Sequence, residues 1–366
     1  MSVLVAGAGI VGAAIADRLQ AAGCSVTLFE ADFPGCGATS AGMGHLVAMD
    51  DSPAQLAFTA RGVALWRREV LPGACGREAR GTVWVARDAQ EMLEARAKAQ
   101  RYAQAGVASE LLDPGQLRTA EPALRGDLAG GLRVPGDQVL YPLGGARFLL
   151  DRALAHGAVL RRERVLGLEP GGLRTAAGRF RADAVVLAAG LGCTGLLPEL
   201  PVVPRKGHLA ITGRVPGLVR HQLLELGYLK SAHGRETTSV AFNIQPRATG
   251  QLLIGSSRQF AGLDPAPHRA LLGHMLRKAV EYLPELARVP VVRVWTGFRP
   301  CGLGNLPTIG PWPGRPGLLV AAGHEGLGIT TALATAELIA HHLLGTASVL
   351  DPQPFLPDPA LEARHG

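Results

Sequence analysis

The chain has 366 residues, 47% of them hydrophobic and 18% charged, with a formal net charge of +7. That length predicts roughly two domains with a substantial core, and no apolar run reaches the ~18 residues of a membrane span. The four lysines leave arginine as 33 of the 37 basic residues, scattered singly or in pairs such as Arg67–Arg68 and Arg161–Arg162. No basic stripe interleaved with aromatics results, so the charge predicts a solvated basic surface and no nucleic-acid partner. Five cysteines without a C-x-x-C exclude a disulfide scaffold and a zinc site, and no metal is expected. The opening residues read as a strand with no leader, so a cytoplasmic location is expected.

The first apolar strand, residues 3–6, runs directly into Gly7, Ala8, Gly9, Ile10, Val11 and Gly12. Residues 13–22 read as a helix with Ile15 and Leu19 on its inner face and Gly23 as the cap beyond its end. A second strand over 25–29 ends at Glu30, 18 residues after Gly12. In this βαβ context Gly7 makes the tight turn, Gly9 lets a pyrophosphate approach the backbone and Gly12 lets helix and strand pack closely. The helix N-terminus offers N–H donors to phosphates, and Glu30 is placed to accept from a ribose, so an adenine dinucleotide site is expected.

A glycine-rich stretch over 35–45 follows, then a helix over 54–70, a strand over 82–87 and a charged helix over 90–105. Asp113–Pro114 reads as an N-cap with proline at the first helical position. Next come a helix over 145–155, with Phe148, Leu149 and Ala153 on one face, and strand pieces over 159–163 and 165–168. The continuous apolar run 184–190 has the character of a buried parallel strand. A β-rich excursion over 202–257 and a helix over 268–282 precede another buried strand, 318–323. That strand enters a second glycine turn and a helix to about residue 344, with Leu333, Ala336, Ala340 and Leu343 as its buried stripe. The expected architecture is α/β. A Rossmann-like nucleotide domain is assembled from residues 1–46, 142–200 and 295–350. An α+β substrate domain on a mostly antiparallel sheet is inserted as 47–141 and 201–294.

The stretch 5–12, Glu30, 37–42, Ala188–Ala189–Gly190, the run 296–300, the run 306–310 and the turn 323–330 together resemble the FAD-dependent D-amino-acid oxidase family, which includes glycine and sarcosine oxidases and bacterial D-amino-acid dehydrogenases. Residues 41–46 and 49–54 look most like the bacterial D-hydroxyproline dehydrogenases. The resemblance implies FAD, held non-covalently or through a cysteine. It places Gly7 to Gly12 at the pyrophosphate and Glu30, with Ala31, at the adenosine ribose. Thr39, Ser40, Gly42, Met43, Gly44, His45 and Leu46 fall along the phosphates and flavin, Val165 at the adenine, and Ala189 and Gly190 along the nucleotide. Gly323, His324, Glu325, Gly326, Leu327, Gly328, Ile329 and Thr330 fall at the pyrimidine end of the flavin, where partial positive charge stabilises the reduced form.

Arg299 matches the family arginine that grips the substrate carboxylate, and its planar fork of donors independently suits that task. Tyr228 reads either as a carboxylate-binding or lid tyrosine or as a core residue. His45 and His324 either bond flavin or substrate or hold turns. Cys301 is either a flavin attachment point or a plain pocket thiol. No acid–base pair stands out, which fits a neutral substrate amine and transfer of the Cα hydrogen as hydride to flavin N5. The expected substrate is a D-amino acid or cyclic secondary amino acid, best cis-4-hydroxy-D-proline or D-proline, giving a pyrroline carboxylate. The alternatives are a glycine, sarcosine or broad D-amino-acid oxidase, and a flavoprotein subunit of a multi-subunit dehydrogenase that passes electrons to an iron–sulfur or quinone partner. Either a hetero- or a homo-oligomer fits. The chain has no cysteine cluster for an iron–sulfur centre of its own. An NAD-only dehydrogenase leaves the 323–330 turn unexplained.

Overall fold

The computed structural model describes residues 1–227, 238–302, 304 and 306–358. Its first sheet has six strands in the order Thr308–Pro311, Leu318–Ala322, Ala184–Leu187, Ser2–Ala6, Ser25–Phe29 and Val159–Arg161. All neighbours are parallel except Thr308–Pro311, which runs antiparallel at the edge. The three central strands carry only apolar side chains beyond Ser2 and are buried almost throughout, because helices and a small sheet cover both faces.

On one face pack helices Ile10–Ala21, Pro142–Ala155, Gly328–Leu344 and Pro53–Glu69. They share one core with the strands, including Ile15, Leu19, Leu149, Ala153, Leu333, Ala336 and Trp66. On the other face, Leu173, Phe180, Cys193 and Leu197 close over Leu4, Val185 and Val320. Helix Pro53–Glu69 is therefore part of the nucleotide-side core, although sequence order groups it with the substrate segments. Its indole anchor Trp66 is fully buried and donates from Nε1 to the Ile329 carbonyl at 2.9 Å, pinning the start of Gly328–Leu344. Removing such a side chain costs about 3–5 kcal/mol.

The second sheet has eight strands in the order Val291–Cys301, Val203–Arg214, Gln251–Gln259, Thr238–Pro246, Gln222–Glu225, Thr82–Ala86, Gly130–Val134 and Glu110–Leu112. Only the pair Gln222–Glu225 and Thr82–Ala86 is parallel. Helix Arg269–Tyr282 buries Leu271, Met275, Ala279 and Tyr282, one stripe at helical spacing, and Tyr282 stacks on Phe242 at 4.1 Å. Asp113 forms a capping box with Gln116 and precedes Pro114, which starts its helix. Residues 295–301, grouped above with the nucleotide segments, are the second half of an edge strand of this eight-stranded sheet.

Several boundaries move for local reasons. The first helix begins at Ile10 rather than 13, because Gly9 serves as its N-cap. The helix expected over 145–155 begins at Pro142, whose ring presets φ and whose missing N–H costs nothing there. The piece expected over 165–168 is a strand only from Gly167, and that expected over 159–163 ends at Arg161. The run 184–190 is strand only to Leu187, since Gly190 turns at φ +57°. Leu343 is only half-buried, whereas residues 330–340 of its helix are buried on every side.

Candidate active site

The two sheets meet over a cleft of about 740 Å³, within the usual range of ligand sites. Close approaches brace the elements around it. The Trp295 indole donates to the Ala41 carbonyl at 3.3 Å, and a Cβ on Gly297 would stand only 2.4 Å from the Ala41 Cβ. The Thr330 hydroxyl donates to the His45 carbonyl at 2.9 Å.

The glycine turn forms one wall. Gly7 has φ +108°, and a Cβ there would press on the Ala188 carbonyl oxygen at 2.5 Å; a Cβ on Gly12 would overlap the Gly7 oxygen at 1.9 Å. At Gly7 backbone conformation and contact both demand glycine, and at Gly12 contact does. Gly9, Ile10 and Val11 line the cleft, and Thr39 Oγ1 accepts from the Ile10 amide at 3.1 Å. The Glu30 carboxylate accepts from the Ala8 amide at 3.0 Å and the Asp32 amide at 3.1 Å, which fixes it at the end of its strand. Ala31, Val165, Ala189 and Gly190 line the same cleft.

Gly42, Met43, Gly44 and His45 lie along it too, as do His324 to Ile329. Ala8, Gly12, Ser40, Leu46, Gly323 and Thr330 stand behind the wall. Leu46 and Ala8 are fully buried, the Ser40 hydroxyl donates to the Cys36 carbonyl, and Gly323, at φ +83°, packs on Gly302. These six support the lining without forming it. Tyr228 lies outside the described residues.

At the other wall Arg205 and Arg299 are directly opposed across neighbouring strands, and Arg258 comes from the next strand over. Like charges so opposed are unfavourable by themselves. Glu325 sits among them, with Oε1 3.4 Å from Arg258 and 3.8 Å from both Arg299 and Arg205. Burial would raise its carboxyl, but the three guanidiniums, Arg258 foremost, hold it down at about 2. Glu325 also adopts φ +48°, a costly conformation for this residue type and a mark of a constrained site. Its amide donates to the Pro300 carbonyl at 2.8 Å, tying the turn before helix Gly328–Leu344 to the arginine strand. Arg299 donates from Nη1 to the Ser257 carbonyl at 3.0 Å and lies flat over Gly207, where a Cβ would stand 2.5 Å from Nη1.

Two histidines are kept neutral. Burial lowers His45 to about 3 and His324 to about 4. His324 Nε2 bonds Thr335 Oγ1 at 3.0 Å inside the helix that follows it. His45 Nε2 bonds Thr82 Oγ1 at 2.8 Å. Burial, then the Glu325 charge, pushes the Cys301 thiol up, so it stays a thiol. Arg205 and Arg258 were missed in the sequence, because only strand register brings them to Arg299.

The donor set fits a dinucleotide: a glycine cradle at a helix N-terminus, an acid at the next strand end, and a second glycine turn opening a second helix toward the same cleft. These features define a flavin-type oxidoreductase of the two-sheet kind. The model of the family described as FAD dependent oxidoreductase matches residues 2–342, and the chain belongs to that family. Glycine oxidase from Pseudomonas aeruginosa is 29% identical over 97% of this chain and 98% of its own. Glycine oxidase from Pseudomonas putida is 36% identical over 51% of this chain, and there the match spans about half of the relative's length, 48%. The crystal structure of glycine oxidase from Geobacillus kaustophilus superposes with a TM-score of 0.85 at 27% identity, covering 97% of both chains. FAD is the cofactor, and no helix among the described residues is long and apolar enough to cross a membrane.

Proposed function

We propose that this chain oxidises the Cα–N bond of a D-amino acid or cyclic secondary amino acid, best cis-4-hydroxy-D-proline or D-proline, to the imine, here a pyrroline carboxylate. The observation that carries this reading is Arg299. Its guanidinium is held in the cleft by the Ser257 carbonyl and the Gly207 backbone, beside the turn 323–328. A guanidinium so fixed grips a carboxylate bidentately and sets the position of the Cα–H.

The glycine turn 7–12 would hold the pyrophosphate, Glu30 the ribose, and residues 42–45 and 324–329 the isoalloxazine. When bound, FAD supplies a hydride acceptor. The chain's own residues orient and exclude. Arg299 clamps the carboxylate. Neutral His45 and His324 add no competing positive charge. The N-terminus of helix Gly328–Leu344 contributes partial positive charge. A substrate bound as the neutral amine needs no general base. In this arrangement the six-stranded sheet carries the dinucleotide and the eight-stranded sheet carries the substrate.

Met43, His45, Met49 and Asp51, from the two stretches that resemble D-hydroxyproline dehydrogenases, all line the cleft, which supports the cyclic substrate. A second reading, oxidation of glycine or sarcosine, is favoured by the near full-length likeness to the Pseudomonas aeruginosa glycine oxidase. The test is anaerobic mixing of the FAD-loaded protein with cis-4-hydroxy-D-proline, D-proline, D-alanine, glycine, sarcosine and the L-counterparts, following loss of flavin absorbance. Fast bleaching by the D-prolines alone is expected. Bleaching by glycine or sarcosine instead transfers the assignment to the second reading, and no bleaching refutes both. Repeating the assay in air separates an oxidase from a dehydrogenase that needs a quinone or electron-transfer subunit.

A further inference from the structure

Strand Val203–Arg214 alternates between the two faces of its sheet. Arg205, Gly207 and Leu209 line the cleft, while His208, between them, lies on the far face and is 1% exposed. On the neighbouring strand Ser256 and Arg258 line the cleft, and Ser257 between them is fully buried on the far face, beside His208. The register of the two strands shifts between Lys206 and Ala210. In that gap the His208 amide donates to Ser257 Oγ at 3.0 Å rather than to a carbonyl. The Ser257 carbonyl accepts instead from Arg299 Nη1, also at 3.0 Å.

The surroundings fix the tautomer of the His208 ring. Its Nε2 stands 2.8 Å from the His268 amide nitrogen, and a backbone N–H only donates, so Nε2 is the lone-pair nitrogen. Nδ1 then carries the hydrogen and donates to Ser257 Oγ at 2.8 Å. Burial, then the charge of Lys206, lowers the ring to about 4, which keeps it neutral. Ser257 Oγ thus accepts twice from His208, once from the amide and once from the ring, which fills both of its lone pairs. His268 in turn caps helix Arg269–Tyr282, its Nδ1 accepting from the Leu271 amide at 3.2 Å, so the ring is anchored to a helix start.

We propose that His208, acting from the far face of the sheet through Ser257, positions Arg299 in the cleft. With the Ser257 hydroxyl filled by His208, the carbonyl of the same residue is left to the guanidinium. A fixed neutral acceptor matters here, because Arg205 stands directly opposite Arg299 on the paired strand and its like charge disfavours that placement. His208 and Ser257 are positioning residues, since neither lines the cleft. The inference rests on Arg299 being the carboxylate anchor and is independent of which amino acid is oxidised.

The test uses the FAD-loaded protein, with acetate as the probe of the anchor and its dissociation constant read from the flavin absorbance. Ser257→Ala deletes one oxygen and leaves the His208 amide to compete with Arg299 for the backbone carbonyl. The expected result is a loss of acetate affinity of about tenfold, the size of one hydrogen bond to a charged group. KM for the amino acid that bleaches the flavin should rise by a similar factor, with kcat falling less. His208→Leu should do the same, and His208→Asn should keep most of the affinity, because its amide NH2 stands where Nδ1–H stood. In an Arg299→Ala background neither Ser257→Ala nor His208→Leu should cost more than about twofold, since they act on one contact that is already gone. Losses that persist in full in that background overturn the proposal, as does acetate affinity kept in Ser257→Ala but lost in Arg299→Ala. If Arg299→Ala itself leaves acetate binding unchanged, the anchor reading falls, and the ¹⁵N-arginine spectrum decides the proposal alone. There the Arg299 guanidinium should rotate slowly about its Nε–Cζ bond in the unaltered protein and freely in Ser257→Ala, and unchanged rotation overturns it.

Discussion

Gly207→Ala tests the role of Arg299 without touching Arg299. A Cβ at Gly207 would stand 2.5, 2.7 and 2.8 Å from Nη1, Nη2 and Cζ of Arg299. Ordinary contact begins near 3.4 Å, so the guanidinium must retreat by about 0.9 Å (3.4 less 2.5). What gives way is the end of a flexible side chain, and Gly207 has no positive φ. The cost to folding should therefore stay within about 1 kcal/mol. The cost to catalysis should be larger, because a misplacement of about 1 Å in a positioning group costs on the order of 100-fold. That corresponds to roughly 2.7 kcal/mol of transition-state stabilisation. The assay is kcat/KM from flavin reduction, alongside FAD stoichiometry and thermal unfolding. The expected result is a fall near 100-fold, shared between a higher KM and a lower kcat, with FAD fully bound and stability kept. A kcat/KM within twofold of the unaltered protein would refute Arg299 as the carboxylate anchor. Loss of FAD or of the fold would refute the claim that the guanidinium, rather than the backbone, yields.

Gly7→Ala forces a side chain onto φ +108° and against the Ala188 carbonyl, which cannot move independently, so FAD affinity should fall at least tenfold by fluorescence titration. Lys98→Met removes a fully buried cation that pairs with Asp50 and lies 4.0 Å over the Trp84 ring. Arg101 still reaches Asp50 at 2.8 Å, so the loss should be near 3 kcal/mol, at the low end for a broken buried pair, read by urea unfolding. Asp137→Asn should stabilise the protein increasingly as pH rises. Burial raises the folded-state carboxyl from 3.8 to about 7, so the unaltered protein loses stability across that window and no further above it. Between pH 5 and 7 the difference should grow by about 2 kcal/mol in denaturant unfolding, and a flat difference would contradict the shift.

The nucleotide side of the cleft was legible in the sequence because it is built from backbone. Phosphates are met by N–H groups at a helix start, so the demand falls on residues that allow the backbone to come close. Gly7 and Gly12 are glycine for contacts within a few residues or across one strand pair. Glu30 follows from the length of one βα unit. The helix Arg269–Tyr282 and the N-cap at Asp113 were legible for the same reason, since helical period and cap chemistry are local.

The substrate side is built from side chains whose neighbours are set by register between distant strands. Arg299 was visible through its motif, but nothing near residue 205 or residue 258 announces that both will flank it. That follows from the pairing of Val203–Arg214 with strands on either side. The placing of Glu325 among three arginines, rather than simply along the cofactor, has the same origin. So does the bond from His45 Nε2 to Thr82 Oγ1, between residues 37 apart in sequence. The helix Pro53–Glu69 shows the limit from the other direction. The sequence reading places a helix over 54–70 and the structure has one at Pro53–Glu69, but a helix read from sequence does not say which sheet will bury it. A chain of this kind thus declares its cofactor through local steric necessity and conceals its substrate in long-range pairing. Substitutions at register partners such as Gly207 therefore probe specificity more directly than further inspection of the conspicuous glycines.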